Sequence, residues 1–306
     1  MGKAGAGIMK RLSICGQLVI GFLILGAAFV FGLRTRLFYN HVLFPLGFWL
    51  IFDAADRMLT GRSYFRRLGL AEGLAMLGLA GLFGVVLDYH MVVLTGILKF
   101  HAVKTPLTAF QMYVGWAFCL PAIYESYVVV ENLLSRNGGK SAASGITLNP
   151  PSLGALRLIG TFLIAIPIFS AMWRRDAPGY LLMLSFTGMF LLLEYVQWRR
   201  GRAPLLLCNL RGNWRPWAAM VLASLPYTFL WEGLNGMMGS WVYANIFWLE
   251  PRIWNVPLVA FFGYLFWYTL FLSLLNALSE RDLRLWDYEG HRALRHTDGA
   301  ETRRET

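Results

Sequence analysis

Between Leu225 and Ala260 the chain brings together a carboxylate, an amide and an aromatic set: Glu232, Asn235, Trp231, Trp241, Tyr243 and Trp254. A carboxylic acid placed beside a substrate can hand over its proton, and tryptophan and tyrosine faces stabilise the positive charge that results. Asn235 follows Glu232 by one helical turn and shares its face, so its amide can orient that acid or a substrate. Glu125 is a second candidate acid, lying in an apolar run with no acidic counterpart later in the chain. Glu232, Asn235 and Glu125 are therefore the candidate catalytic residues. Trp231, Trp241, Tyr243 and Trp254 are the candidate wall of an apolar binding site. The same residues also fit an interfacial tryptophan–tyrosine belt beside a solvated glutamate, and the sequence leaves both open.

Other chemistries lack support in the residue pattern. Cys15, Cys119 and Cys208 are far apart and form no CxxC pair, so neither a disulfide framework nor a zinc knuckle is expected. The five histidines form no HExxH or other close ligand pair. No metal and no cofactor is expected. The net charge of +11 raises the question of nucleic acid. Its basic residues sit in the loops between apolar runs, as membrane topology signals do, so nucleic acid is not an expected partner.

Membrane helices must position these residues. The chain has 306 residues, of which 57% are hydrophobic and 15% charged, and its mean hydropathy is +0.51. Soluble domains are nearer 45–50% apolar and about 25% charged. The expected fold is all-α, a polytopic membrane bundle with spans at 12–33, 38–56, 68–90, 108–133, 152–173, 178–198, 216–236 and 254–278. The first run follows Lys3, Lys10 and Arg11 and is long enough to span, so it reads as a retained helix rather than a signal peptide. Residues 136–151, rich in glycine, serine and proline, read as a linker between a first repeat (1–135) and a second (152–279). The tail, 280–306, reads as cytoplasmic, with a short interfacial helix over 280–294 and a disordered end. Most of the 28 Lys and Arg fall on the side of the termini, which puts both termini in the cytoplasm.

The halves read as copies in the same orientation. Asp53 aligns with Glu194, Gly61-Arg62 with Gly201-Arg202, Asp88 with Glu232 and Asn132 with Asn276, at a nearly constant offset. Four spans per unit make the repeat parallel rather than inverted. The acids fall at two depths. Glu232 and Asp88 lie toward the outer side, while Asp53, Glu125 and Glu194 lie toward the cytoplasmic ends of their helices. Asp53 and Glu194 read as structural acids that pair with Arg62 and Arg202.

Glu194, Gly201-Arg202, Trp231-Glu232, Trp241-Val242-Tyr243 and Pro257-Leu258 resemble the pattern of a group of uncharacterised, duplicated bacterial polytopic membrane proteins. That resemblance covers most of the chain, implies the bacterial inner membrane and carries no known activity. Over about sixty residues the chain also resembles the membrane lycopene cyclase and carotenoid hydratase type. Trp231-Glu232, Gly239-Ser240-Trp241-Val242-Tyr243 and Val256-Pro257-Leu258 carry the likeness. Those cyclases follow their proline–leucine pair with two glutamates, where Val259-Ala260 stand here. Acid chemistry would then fall to Glu232 or Glu125. Three functions remain open: an intramembrane enzyme acting on an isoprenoid- or carotenoid-like lipid by carboxyl acid chemistry, a transporter or lipid-moving protein, and a non-catalytic membrane scaffold. In each, the expected partner is a membrane lipid or a long apolar small molecule.

Overall fold

In lipid no water is available to satisfy the backbone, so an apolar run folds as a helix that closes its own hydrogen bonds. The computed structural model describes residues 3–35, 40–101, 105–137, 150–173, 179–279, 283 and 285–286. Among them are nine α-helices: α1 (Lys3–Thr35), α2 (Asn40–Thr60), α3 (Leu70–Tyr89), α4 (Pro106–Asn137), α5 (Pro150–Trp173), α6 (Leu181–Arg199), the short α7 (Leu205–Leu210), α8 (Arg215–Met238) and α9 (Leu258–Leu278). Four short strands, β1 (Leu98–Phe100), β2 (Trp241–Tyr243), β3 (Arg252–Ile253) and β4 (Val256–Pro257), together with a 3₁₀ turn (Phe65–Arg67) and a π-helical turn (His90–Leu94), complete the described elements. The predicted linker and the predicted tail helix fall largely outside the described residues.

Six helices, α1, α3, α4, α5, α6 and α9, are long and apolar enough to cross a membrane. The other two long helices, α2 and α8, contain 21 and 24 residues, enough for about 30 Å at 1.5 Å per residue. They are more polar. α2 carries Asp53, Asp56 and Arg57, and α8 carries Arg215, Glu232 and Asn235.

The bundle is layered by burial. In α4 and α9, 67% of the most apolar window is buried, against 11% in α5. α4 packs on α2, α3, α8 and α9, and so forms the centre. α1 leans on α2 and α5 on α6. Both outer pairs cross at glycines, where backbones approach closely. A Cβ on Gly47 would stand 2.8 Å from the Leu25 nitrogen, and one on Gly188 would stand 2.6 Å from the Gly160 carbonyl oxygen. The packing order α1–α2–α4–α3 recurs as α5–α6–α9–α8.

The segments after α3 and α8 meet each other. Each turns through a glycine in the left-handed region, Gly96 (φ 61°) and Gly239 (φ 67°), a conformation open to glycine at little cost. Each then forms a three-residue strand. β1 and β2 pair antiparallel, Leu98 with Tyr243, Lys99 with Val242 and Phe100 with Trp241. β3 and β4 form a separate hairpin whose two loop residues, Trp254 and Asn255, both take positive φ, the geometry of a two-residue hairpin turn.

Candidate functional site

Five helices and the β1–β2 pair line a partly open cavity, with about 670 Å³ of space counted together with what is open to the outside. Asp88 and Met91 reach it from the α3 end, Trp116 and Cys119 from α4, Tyr227, Trp231 and Glu232 from α8, and Tyr264, Trp267 and Tyr268 from α9. Leu98, Phe100, Trp241 and Tyr243 close it from the strands, and His41 from α2. Its walls are mainly aromatic and aliphatic, and no Lys or Arg is among the described residues that line it.

Glu232 is fully buried and held by three donors. The Tyr264 hydroxyl donates to Oε1 at 2.6 Å, the Tyr243 hydroxyl to the same oxygen at 2.8 Å, and Asn235 Nδ2 to Oε2 at 3.3 Å. Desolvation of its hydroxyl end, and then the neighbouring Glu232 charge, push the Tyr243 phenol well above its ordinary range, so it remains a donor. Asn235 does not itself line this cavity. Its Oδ1 accepts the Trp241 backbone N–H at 3.1 Å, tying the end of α8 to β2 and to the acid at once.

Asp88 is the second carboxyl on the cavity, 3% exposed. Trp116 Nε1 donates to its Oδ2 at 2.5 Å, and its Oδ1 is buried without a hydrogen-bond partner. Directly after it, α3 widens into a π-helical turn, His90–Leu94, a local form frequent at functional sites. The aromatic walls are packed as units. Trp116 stacks on Trp267 with centroids 4.7 Å apart, and His41 contacts both Trp231 and Trp241 at 5.0 and 5.1 Å.

The fold gathers Glu232, Trp231, Trp241 and Tyr243 at this cavity and seats Asn235 just behind the acid. Two predicted site residues lie elsewhere. Trp254 sits at the tip of the β3–β4 hairpin, half exposed, with its ring against Gly233, where a Cβ would come within 2.9 Å of it. Glu125, also fully buried, lies toward the other end of α4, near Asp53, Asp56 and the Tyr64 backbone. Asp53 is met by Gln17 at 2.6 Å and by Arg66 at 3.5 Å, so its basic partner is Arg66 rather than the predicted Arg62. Glu194 does not need an arginine to account for its place: its carboxyl accepts the backbone N–H of Leu205 and Leu206 at 3.1 and 2.6 Å and so caps α7. The Arg202 guanidinium donates to the Ser279 carbonyl.

Residue spacing did not mark Tyr264, Trp116, Trp267 or His41. Each sits on a different helix from Glu232, so only helix packing brings it near. Asp88 carried one available signal, its alignment with Glu232 across the two halves.

The helices and this cavity define the class: a multi-pass helical membrane protein with an aromatic cavity lined by two carboxyls. Compared with models of known protein families, with curated proteins and with solved structures, the chain matches none.

Proposed function

We propose that this protein is an intramembrane enzyme whose cavity receives a long apolar molecule of isoprenoid type and whose carboxyls act on it by acid–base chemistry. One observation carries the reading: Glu232 and Asp88 open on one aromatic cavity lined by no Lys or Arg among the described residues. An alkene protonated there becomes a cation, which the tryptophan faces and a nearby carboxylate stabilise. The tryptophan–acid pair Trp231-Glu232 and the Trp241-Val242-Tyr243 segment, which carry the resemblance to membrane lycopene cyclases, both contribute to the cavity.

The reading includes an architecture. α1 to α4 and α5, α6, α8 and α9 form two parallel repeats, making eight spans in a bacterial inner membrane with both termini in the cytoplasm. Support comes from the recurring packing order, the matched glycine crossings and the paired strands after α3 and α8.

The test is to purify the protein and identify co-extracted lipids by mass spectrometry. A stoichiometric isoprenoid is expected. A requirement for an ion or polar solute would favour transport, and bulk phospholipid alone would favour a scaffold; either result overturns the enzymatic reading.

A further inference from the structure

The end of α2 and the turn that follows it carry four arginines, Arg57, Arg62, Arg66 and Arg67. Two of them converge on one atom of α1. Arg57 Nη1 and Arg66 Nη2 both donate to Gln17 Oε1, at 2.8 and 2.5 Å. Gln17 is fixed from its other side, where its Nε2 donates to Asp53 Oδ2 at 2.6 Å and to the Leu50 carbonyl at 3.0 Å. Two guanidiniums therefore stand side by side on a neutral oxygen, where their like charges repel. Asp53, 3.5 Å from Arg66, is the carboxylate in ion-pair contact with this turn among the described residues. Asp56 instead accepts the Thr60 hydroxyl at 3.1 Å, Arg67 donates to the Ser63 carbonyl at 3.1 Å, and Arg62 is exposed. Positive charge is in excess, and each guanidinium has N–H donors to spare. The basic turn after α6 is occupied differently, since Arg200 and Arg202 donate to the carbonyls of Ala277 and Ser279 at the end of α9. Exposed apolar side chains flank the first cluster: Leu12 near the start of α1, Met58 beside Arg57 and Leu70 at the first position of α3.

We propose that this corner between α1, α2 and the start of α3 binds an anionic phospholipid, whose phosphate bridges Arg57 and Arg66 with Arg62 beside them. Guanidinium forks match the spacing of phosphate oxygens, and basic side chains at a membrane edge attract anionic headgroups. The phosphate supplies the negative charge that the paired arginines lack, and so fastens α1 to α2. Leu12, Met58 and Leu70 offer the acyl chains an apolar surface, which a free phosphate would leave uncovered. The inference stands apart from the enzymatic reading, because no residue of the aromatic cavity takes part in it.

Native mass spectrometry of the purified protein, titrated with phosphatidylglycerol and with phosphatidylcholine, tests the site. Wild type is expected to retain the anionic lipid in preference to the zwitterionic one. The double variant Arg57→Gln/Arg66→Gln should bind phosphatidylglycerol about 30-fold more weakly, the usual effect of removing two basic side chains at a membrane surface, with phosphatidylcholine binding unchanged. Arg252→Gln, at a guanidinium paired with Glu250 in the β3–β4 region, is the control and should bind as wild type does. Equal retention of the two lipids by wild type, unaltered affinity in the double variant, or an equal fall in Arg252→Gln overturns the site. Inorganic phosphate forms a third arm: displacement of phosphatidylglycerol by it would make this a free-phosphate site and overturn the lipid assignment. If the double variant fails to fold, Arg62→Gln removes an exposed charge and should still weaken binding; unchanged affinity overturns the proposal. Any co-extracted isoprenoid is read in the same spectra, so failure of this site and failure of the enzymatic reading are separate results.

Discussion

Asp88, in the last turn of α3, and Glu232, in the second-last turn of α8, open on the same cavity. They are separated in sequence by α4 to α7, and the packing of α3 and α8 around α4 brings them together. Neither has a Lys or Arg beside it on the cavity wall among the described residues.

The two tyrosines on Glu232 set its geometry. Tyr264→Phe keeps the ring and removes the 2.6 Å hydrogen bond. A hydrogen bond to a charged group is worth about 1.5–3 kcal/mol, or roughly 10- to 100-fold in rate. Conversion of the co-purifying lipid per folded molecule should fall by that order, and the thermal unfolding temperature in detergent should fall as well, since the bond also stabilises the fold. Unchanged conversion would show that Tyr264 does not position the acid.

Glu194 should behave as a structural residue. Glu194→Ala leaves the Leu205 and Leu206 N–H groups without their acceptor, at about 1–3 kcal/mol for each orphaned buried donor. The expected outcome is a lower unfolding temperature with turnover per folded molecule unchanged. Normal stability with lost turnover would move Glu194 into the functional set.

How much could be read in advance depends on the kind of contact. The long helices were legible because hydrophobic runs of spanning length have few other solutions. Glu232, Trp231, Trp241 and Tyr243 were legible because they lie on one short stretch, with α8 and β2 separated only by the Gly239 turn. Glu125 and Trp254 do not line this cavity, since proximity in sequence, or lack of a repeat partner, says nothing about which end of a helix meets it. Tyr264 shows the converse: its bond to Glu232 is made across α8 and α9, and no local pattern announces it. The α7 cap was equally hidden, since Glu194 looks like any acid before a basic turn until the chain folds back over it.

The glycine crossings can be compared directly. Gly47→Val and Gly188→Val each push a side chain into a facing backbone, Leu25 in one case and Gly160 in the other. Overpacking of this kind typically costs about 1–3 kcal/mol. Both should lower the unfolding temperature by similar amounts, as matched crossings in a duplicated bundle would. Gly26→Val, at a position with nothing within 4 Å of its Cβ, is the control. An effect from only one of the two crossings would argue against equivalent packing.

Topology is tested with reporters fused at residues 104 and 140. A cytoplasmic signal is expected at 140 and an external one at 104, as the distribution of Lys and Arg requires. The opposite pair of signals would invert the orientation, and with it the assignment of Glu232 to the outer half of the membrane.

The most direct measurement concerns Glu232 itself. Glu232→Gln preserves size and keeps an acceptor oxygen for Tyr243 and Tyr264, but it removes the group that exchanges a proton. Insertion, expression and the unfolding temperature should stay close to wild type. Conversion of the lipid that co-purifies with the wild-type protein should fall by about 10²–10⁴-fold, the usual contribution of a general acid or base, and the unconverted lipid should accumulate in the cavity. Full conversion by Glu232→Gln at wild-type expression would contradict carboxyl chemistry at this site.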